Sequence, residues 1–282
     1  MVSVNLNSQA CLSYEKLKEL AKGAVDTHSD LPFSVYSSVK EQRLANVPVI
    51  RPLLIFILGG TKLLGKEREK CPAGSFVFLS NSPDVDMRNI PSSRNDGYFA
   101  VLLEFDYADF SQFRHKPKST KRYFLGEINK PLSIALAQFI EFSTQVPKGA
   151  LKFRKQELLN LIYLSGHEEV CGIAEPPSLS HQVYEIINQN IADDWGVERL
   201  CTLLCMSEST LRRKLKAEKT SVQDIKNRTK LGFGLHLVQS TIEPIGLIAE
   251  RCGYQSQSRF TDQFKMLFGM TPSDLRKTRK MD

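Results

Sequence analysis

Arg212, Arg213 and Lys216 cluster near the C-terminal end of a 282-residue chain, and Ser209 stands just ahead of them. Helical spacing turns all four away from Leu211 and Leu215. A guanidinium can donate two parallel hydrogen bonds to a guanine edge, and a lysine reaches guanine or phosphate. Further along, Gln257, Ser258, Arg259, Thr261 and Lys265 take comparable places around Phe260 and Phe264. A glutamine amide can pair with two adjacent atoms of adenine. The chemistry on offer is recognition of double-stranded DNA. A basic helix face is also common as plain solvated surface, so the elements that carry these residues must decide.

Those elements are repeated. Val197, Leu200, Cys201 and Leu204 match Ile245, Ile248, Ala249 and Cys252 at an offset of 48, and Leu211, Leu215 and Lys216 match Phe260, Phe264 and Lys265 at 49. Each copy reads as a short helix, a tight turn at Cys205-Met206 or Gly253-Tyr254, and a second helix with one apolar face. The small residue Cys201 or Ala249 lets the second helix come close. Ser207 and Ser256 are suited to cap it. This is the plan of a helix-turn-helix, whose second helix is free to enter the major groove.

The first half has a different texture. Residues 53–58, 62–64, 76–79 and 98–105 read as short strands, with Gly59-Gly60 and Ala73-Gly74 as turns and Pro83, Pro91 and Gly97 as punctuation. Such spacing suggests a barrel or sandwich. Apolar residues at helical spacing then mark amphipathic helices near 131–144 and 151–166. Glu175-Pro176-Pro177-Ser178 stiffens the chain and cannot continue a helix. The expected fold class is α+β: a β-rich, barrel-like regulatory domain with helices over 1–167, a linker over 168–180, and an all-α domain over 181–282 holding both helix-turn-helix units.

Composition agrees with a globular chain able to bury a core, at 41% hydrophobic and 24% charged. The net charge is +7, and residues 178–282 hold 16 Lys+Arg against 12 Asp+Glu, so the shorter part carries the denser positive charge. No apolar run approaches the ~18 residues of a membrane span, and residues 1–10 lack a secretory pattern. The expected location is the cytoplasm, with no membrane partner.

Enzyme signatures are missing. The histidines at 28, 115, 167, 181 and 236 are isolated, and no nucleophile elbow, phosphate-cradling loop or His-Glu-x-x-His occurs. The cysteines, at 11, 71, 171, 201, 205 and 252, form no Cys-x-x-Cys pair. Cys201 and Cys205 lie one turn apart, where a disulfide is geometrically poor. No metal, cofactor or catalytic residue is expected. A barrel-domain enzyme fused to a DNA-binding module remains the minor alternative. One version is alkyl transfer to a reactive cysteine, which the surroundings of Cys71-Pro72 do not favour.

From about Trp195 to Arg276 the sequence resembles the AraC/XylS family of bacterial transcription regulators. The resemblance rests on Trp195, the Ser-x-x-x-Leu-x-Arg run at 207–213, Ile248-Ala249, Gly253-Tyr254, Phe260, Phe264-Lys265 and Phe268-Gly269-Met270-Thr271-Pro272-Ser273. It implies a linker helix over 221–240 and two reading helices on successive major-groove segments. More weakly, residues 52–60, Lys62 and 73–80 resemble the start of the family's barrel-like regulatory domain. That implies control by a small-molecule effector, by homodimerisation through the helices at 131–144 and 151–166, or by both. An activator would also contact RNA polymerase. Arg51 and Lys62 flank apolar strands as anchors for a carboxylate or fatty-acid-like effector, or as rim charges. A regulatory domain that binds a partner protein is the other reading.

The chain also departs from the family. Asp262 stands where the resemblance expects Arg, and Arg259 where it expects an aromatic. Thr220 replaces the customary glycine after the first reading helix, which predicts a strained cap there. Gly232 and Gly234 interrupt the linker helix and predict looser coupling of the two units.

Overall fold

The computed structural model describes residues 13–28, 30–92, 97–113, 123–176 and 178–279. Cys11, His115 and Pro177 lie outside them, as do residues 1–10. Helix α1 (Tyr14–Thr27) is capped by Ser13, whose side chain accepts from the Lys16 amide. Among the described residues nine strands follow: β1 (Ser34–Ser38), β2 (Gln42–Val49), β3 (Leu53–Gly59), β4 (Thr61–Leu64), β5 (Glu69–Pro72), β6 (Ser75–Leu79), β7 (Ser82–Ile90), β8 (Tyr98–Glu104) and β9 (Tyr123–Glu127). They pair antiparallel into two sheets, ordered β1-β8-β3-β6-β9 and β2-β7-β4-β5.

The first sheet is covered on both faces. Ile55, Ile57, Val77, Leu79 and Ala100 turn toward Leu44, Val47, Val85 and Met87 of the second sheet. Their neighbours Leu54, Phe56, Phe76, Phe78 and Val101 turn the other way, onto α1 and onto α2 (Lys130–Ser143) and α3 (Leu151–Leu164). A strand buried on both faces reads as an unbroken apolar run, which is why β3, β6 and β8 stand out in the sequence. The second sheet has one wet face, and β2 and β7 alternate accordingly. Helix α1 and strands β1, β2, β5, β7 and β9 have no counterpart in the sequence reading.

The described residues from 178 onward are helical: α4 (Leu179–Gln189), α5 (Val197–Leu203), α6 (Glu208–Ala217), α7 (Val222–Ser240), α8 (Ile245–Arg251), α9 (Gln257–Phe268) and α10 (Pro272–Arg276). The two helix-turn-helix units differ in how they are buried. Leu200, Leu211 and Leu215 of the first join Val183, Ile187, Trp195 and Ile225 in a core of their own. Ile248, Phe260, Phe264 and Phe268 of the second belong to the same core as the strand residues facing between the sheets. The second unit is thus built onto the β-rich half and the first is not.

Helix α7 is continuous, and its glycines do not loosen it. A Cβ at Gly232 would lie 2.9 Å from Pro48 of β2, and one at Gly234 would lie 2.8 Å from the Phe260 ring. Both mark close approach, of α7 to β2 and of α7 to α9. The strain expected after α6 falls on Lys219 instead of Thr220. Lys219 takes the left-handed backbone position (φ 58°), and the Thr220 amide donates to Leu215 O at 3.0 Å.

Candidate nucleic-acid interface

Helix α6 starts at Ser207, whose hydroxyl accepts from the Thr210 amide at 3.3 Å. Leu211 and Leu215 are buried at 0% and 1% exposure, which fixes the helix's rotation. The opposite face carries Ser209, Arg212, Arg213 and Lys216, all exposed. Arg212 is tied to Glu208 one turn earlier, its Nε 2.7 Å from Oε1. A solvent-exposed pair of this kind is weak. Arg213 and Lys216 make no ion pair among the described residues, so both are open to a polyanion.

Helix α9 starts at Ser256, which accepts from the Arg259 amide at 3.3 Å. It ends at Gly269, in the left-handed conformation that favours glycine. Phe260, Phe264 and Phe268 form its buried stripe, with consecutive rings 5.6 and 4.7 Å apart. Gln257, Ser258, Arg259 and Lys265 are exposed and Thr261 is half-buried. The Gln257 amide oxygen lies against α8, within 3.0 Å of where a Gly246 Cβ would stand. Asp262 and Met266 each lie two residues from Phe264, about 200° round the helix, so they head the outward face. Met266 is 73% exposed. The sequence reading omits it, although its spacing of four from Asp262 marks it.

Helices α7, α8 and α10 set the position of α9. Arg279 donates to Val238 O at 3.0 Å and to Thr241 O, capping the end of α7. Arg276 donates to Glu243 O just ahead of α8, and Arg251 of α8 pairs with the Glu243 carboxylate. Free carbonyls at a helix C-terminus need such partners.

A cavity of about 540 Å³ lies between the sheets and α7, lined in part by Tyr36, Lys62, Glu104, Lys155, Arg228 and His236. Arg51 also lines it, but its guanidinium is taken by Glu185 of α4 at 2.7 and 3.2 Å, with Asp106 at 3.5 Å. The resulting contact bridges the two halves, so Arg51 is not a free anchor. Lys62 is 4% exposed, no rim charge, and donates to Asn89 Oδ1 at 2.6 Å. Lys155 donates to Glu104 O at 2.6 Å and Arg228 to Pro83 O at 2.8 Å. Among the described residues none of these three cations has a carboxylate within ion-pair distance. Burial holds the Lys62 ammonium down to about 8. Tyr36 Oη lies 3.0 Å from His236 Nδ1 across the same cavity, and burial holds that imidazole below its ordinary value.

Cys71 is buried and its thiol is pushed up to about 11 by that burial, the opposite of an activated nucleophile. Among the described residues no cluster of three His, Cys, Asp or Glu could hold a metal, and no helix is long and apolar enough to cross a membrane.

Fold and surface together define a helix-turn-helix protein with a β-rich companion half. The family described as "Helix-turn-helix domain" matches residues 200–278. Over 94 residues, 33% of this chain, the sequence is 35% identical to the HTH-type transcriptional regulator AdiY of Escherichia coli. Over 95 residues, 34% of this chain, it is 33% identical to the E. coli porin thermoregulatory protein EnvY. The chain spans little more than a third of these curated relatives, 37% of AdiY and 38% of EnvY. The likeness is confined to this C-terminal stretch, which is similar to the helix-turn-helix domain of these transcriptional regulators.

The whole fold is similar to that of ToxT from Vibrio cholerae. The apo form aligns over 89% of this chain and 99% of its own, with a TM-score of 0.64 and 16% identity. ToxT bound to an unsaturated fatty acid aligns over 90% and 97%, with a TM-score of 0.61 and 16% identity. At that identity the likeness concerns the fold: a β-rich half followed by a helical half with two helix-turn-helix units.

Proposed function

We propose that this protein is a sequence-specific DNA-binding transcription regulator whose β-rich half controls it through a small-molecule ligand. The observation that carries the first part is the outward face of α6, where Arg213 and Lys216 make no ion pair among the described residues and stand beside Ser209 and Arg212. On this reading α6 enters one major groove and α9 the next, roughly 10 base pairs away. Gln257, Ser258, Arg259, Thr261 and Lys265 supply the α9 contacts. Asp262, which repels phosphate, makes α9 the weaker reader. Residues 1–167 serve as the regulatory part, 168–180 as the link and 181–282 as the DNA-binding part. The working location is the cytoplasm. Selection of bound sequences from a random duplex library tests the reading, and failure to enrich any site would sink it.

The ligand part is supported by the cavity, where Lys62, Lys155 and Arg228 donate to neutral acceptors and have no carboxylate partner among the described residues, and by the fatty acid in the similarly folded ToxT. The ligand class this favours is a carboxylate with an apolar tail. Calorimetry with unsaturated fatty acids should show binding, and a flat titration would favour a protein partner instead. A homodimer is supported by the exposed Phe142 and Phe153 on α2 and α3, at 39% and 74% exposure. Sedimentation of the purified chain tests it. Contact with RNA polymerase follows only if the regulator activates.

A further inference from the structure

Lys62 is an odd residue for the interior of a β-rich core. Its ammonium lies in the wall of the cavity, 5.5 Å from the centroid of the Tyr98 ring, with Met87 Sδ 3.8 Å away. Its short bond runs to Asn89 Oδ1, at 2.6 Å. From there the bonds continue. Asn89 Nδ2 donates to Gln42 Oε1 at 2.8 Å, and Gln42 Nε2 donates to Thr278 Oγ1 at 2.8 Å. Thr278 Oγ1 in turn donates to Leu275 O. Lys62, Asn89, Gln42 and Thr278 are 4%, 2%, 2% and 7% exposed, so solvent cannot replace a lost partner.

The polarity of the chain is fixed from one end. An ammonium only donates, so Asn89 must turn its oxygen to Lys62 and its NH₂ to Gln42. Gln42 must then turn its NH₂ to Thr278. No member can rotate without leaving a buried polar atom unpaired, and bonds in such a series strengthen one another. The far end lies in the DNA-binding half. Thr278 O accepts from the Val39 amide at 2.8 Å and the Lys40 amide at 3.3 Å. Arg276 and Arg279, on either side of it, hold the α7–α8 elbow through Glu243 O, Val238 O and Thr241 O.

We propose that Lys62, Asn89, Gln42 and Thr278 form a relay: a change at Lys62 in the cavity wall alters the hold on Thr278, and so the seating of α10 against the elbow that sets α9. Its use in regulation rests on the cavity being the ligand site. The relay itself is a property of the ligand-free chain.

Amide hydrogen exchange on the full-length protein tests it in three variants. Lys62→Met removes the first donor. Asn89→Asp keeps a partner for Lys62 but cannot donate to Gln42, so it cuts the relay while leaving the ammonium paired. Thr278→Val removes the last acceptor. Each should speed exchange at 275–279 and 241–245 by about threefold or more, with 54–57 of β3 unchanged, because local opening is separable from global unfolding. The Lys62→Met/Thr278→Val double variant should exchange no faster than Thr278→Val, since members of one network do not add. Unchanged exchange at the elbow in Asn89→Asp overturns the relay. So does a rise shared equally with β3, or effects that multiply in the double variant. Hexadecenoic acid separates the two readings. Binding heat without any change at 241–245 overturns the use of the relay in regulation and spares the cavity. An effect of Asn89→Asp without binding heat overturns the cavity reading and spares the relay.

Discussion

Arg213 and Asp262 occupy equivalent places in the two helix-turn-helix units, each two residues beyond the first buried anchor of its reading helix, Leu211 in α6 and Phe260 in α9. Both side chains are exposed and both head an outward face. One offers five hydrogen-bond donors and a fixed positive charge. The other offers acceptors and a negative charge that phosphate repels. The two units share a frame and differ in sign at the same point.

Replacing Asp262 with Asn should therefore tighten binding to any duplex, by roughly twofold to tenfold at low salt, because a like charge leaves the phosphate backbone. Fluorescence anisotropy on selected and on random DNA checks this. Equal affinity of the two proteins on both would place α9 away from the duplex.

Lys216 should act through phosphate. Its change to Ala should weaken binding about evenly across sequences and reduce the slope of log K against log salt by about 1. An unchanged slope with altered site preference would instead make it a base reader.

Gly234 and Gly23 should respond in opposite ways to alanine. At Gly234 a Cβ meets the Phe260 ring and Cys252 Sγ at 2.8 and 3.1 Å, inside a shared core. Gly234→Ala should cost about 1–3 kcal/mol, the usual range for overpacking. At Gly23, inside α1, nothing lies within 4 Å of the added carbon. Gly23→Ala should gain about 0.5–1 kcal/mol through helix propensity. Thermal melts of both variants suffice, and a neutral Gly234→Ala would mean that α7 and α9 are not in contact.

Acid should weaken the junction of the halves through His236. Burial lowers the pKa of its imidazole, Glu104 opposes that effect and Arg251 adds to it. A folded-state value below 6.5 means that the unfolded chain binds more protons, so stability is full above about 6.5 and falls as the pH drops below it. His236→Gln keeps a hydrogen bond for Tyr36 but cannot titrate. Its melting temperature should vary less than that of the wild type between pH 7 and 5.5. Identical curves would remove His236 from the account.

The parts of the fold that were legible in the sequence are those with a single strong periodicity. Strands β3, β6 and β8 are buried on both faces and show as apolar runs. The reading helices show as repeated anchors three and four residues apart. Strands β2 and β7 were obscured because one face is wet and each carries a proline, Pro48 and Pro83. The cavity was illegible for another reason. Lys62, Asn89, Gln42 and Thr278 come from four distant segments, and no local spacing records that they meet. Composition likewise hides that Arg51 is taken by Glu185, and that the helix-interior glycines Gly232 and Gly234 mark contact where propensity alone suggests slack.

The central claim is that α6 leads sequence recognition. The direct measurement is the affinity of the full-length protein for its best selected duplex and for that duplex with single base changes, in wild type and Arg213→Ala. The account predicts a loss of about 1–3 kcal/mol on the selected site, and loss of discrimination at one or two positions under α6. Retained affinity with retained discrimination in Arg213→Ala would contradict it.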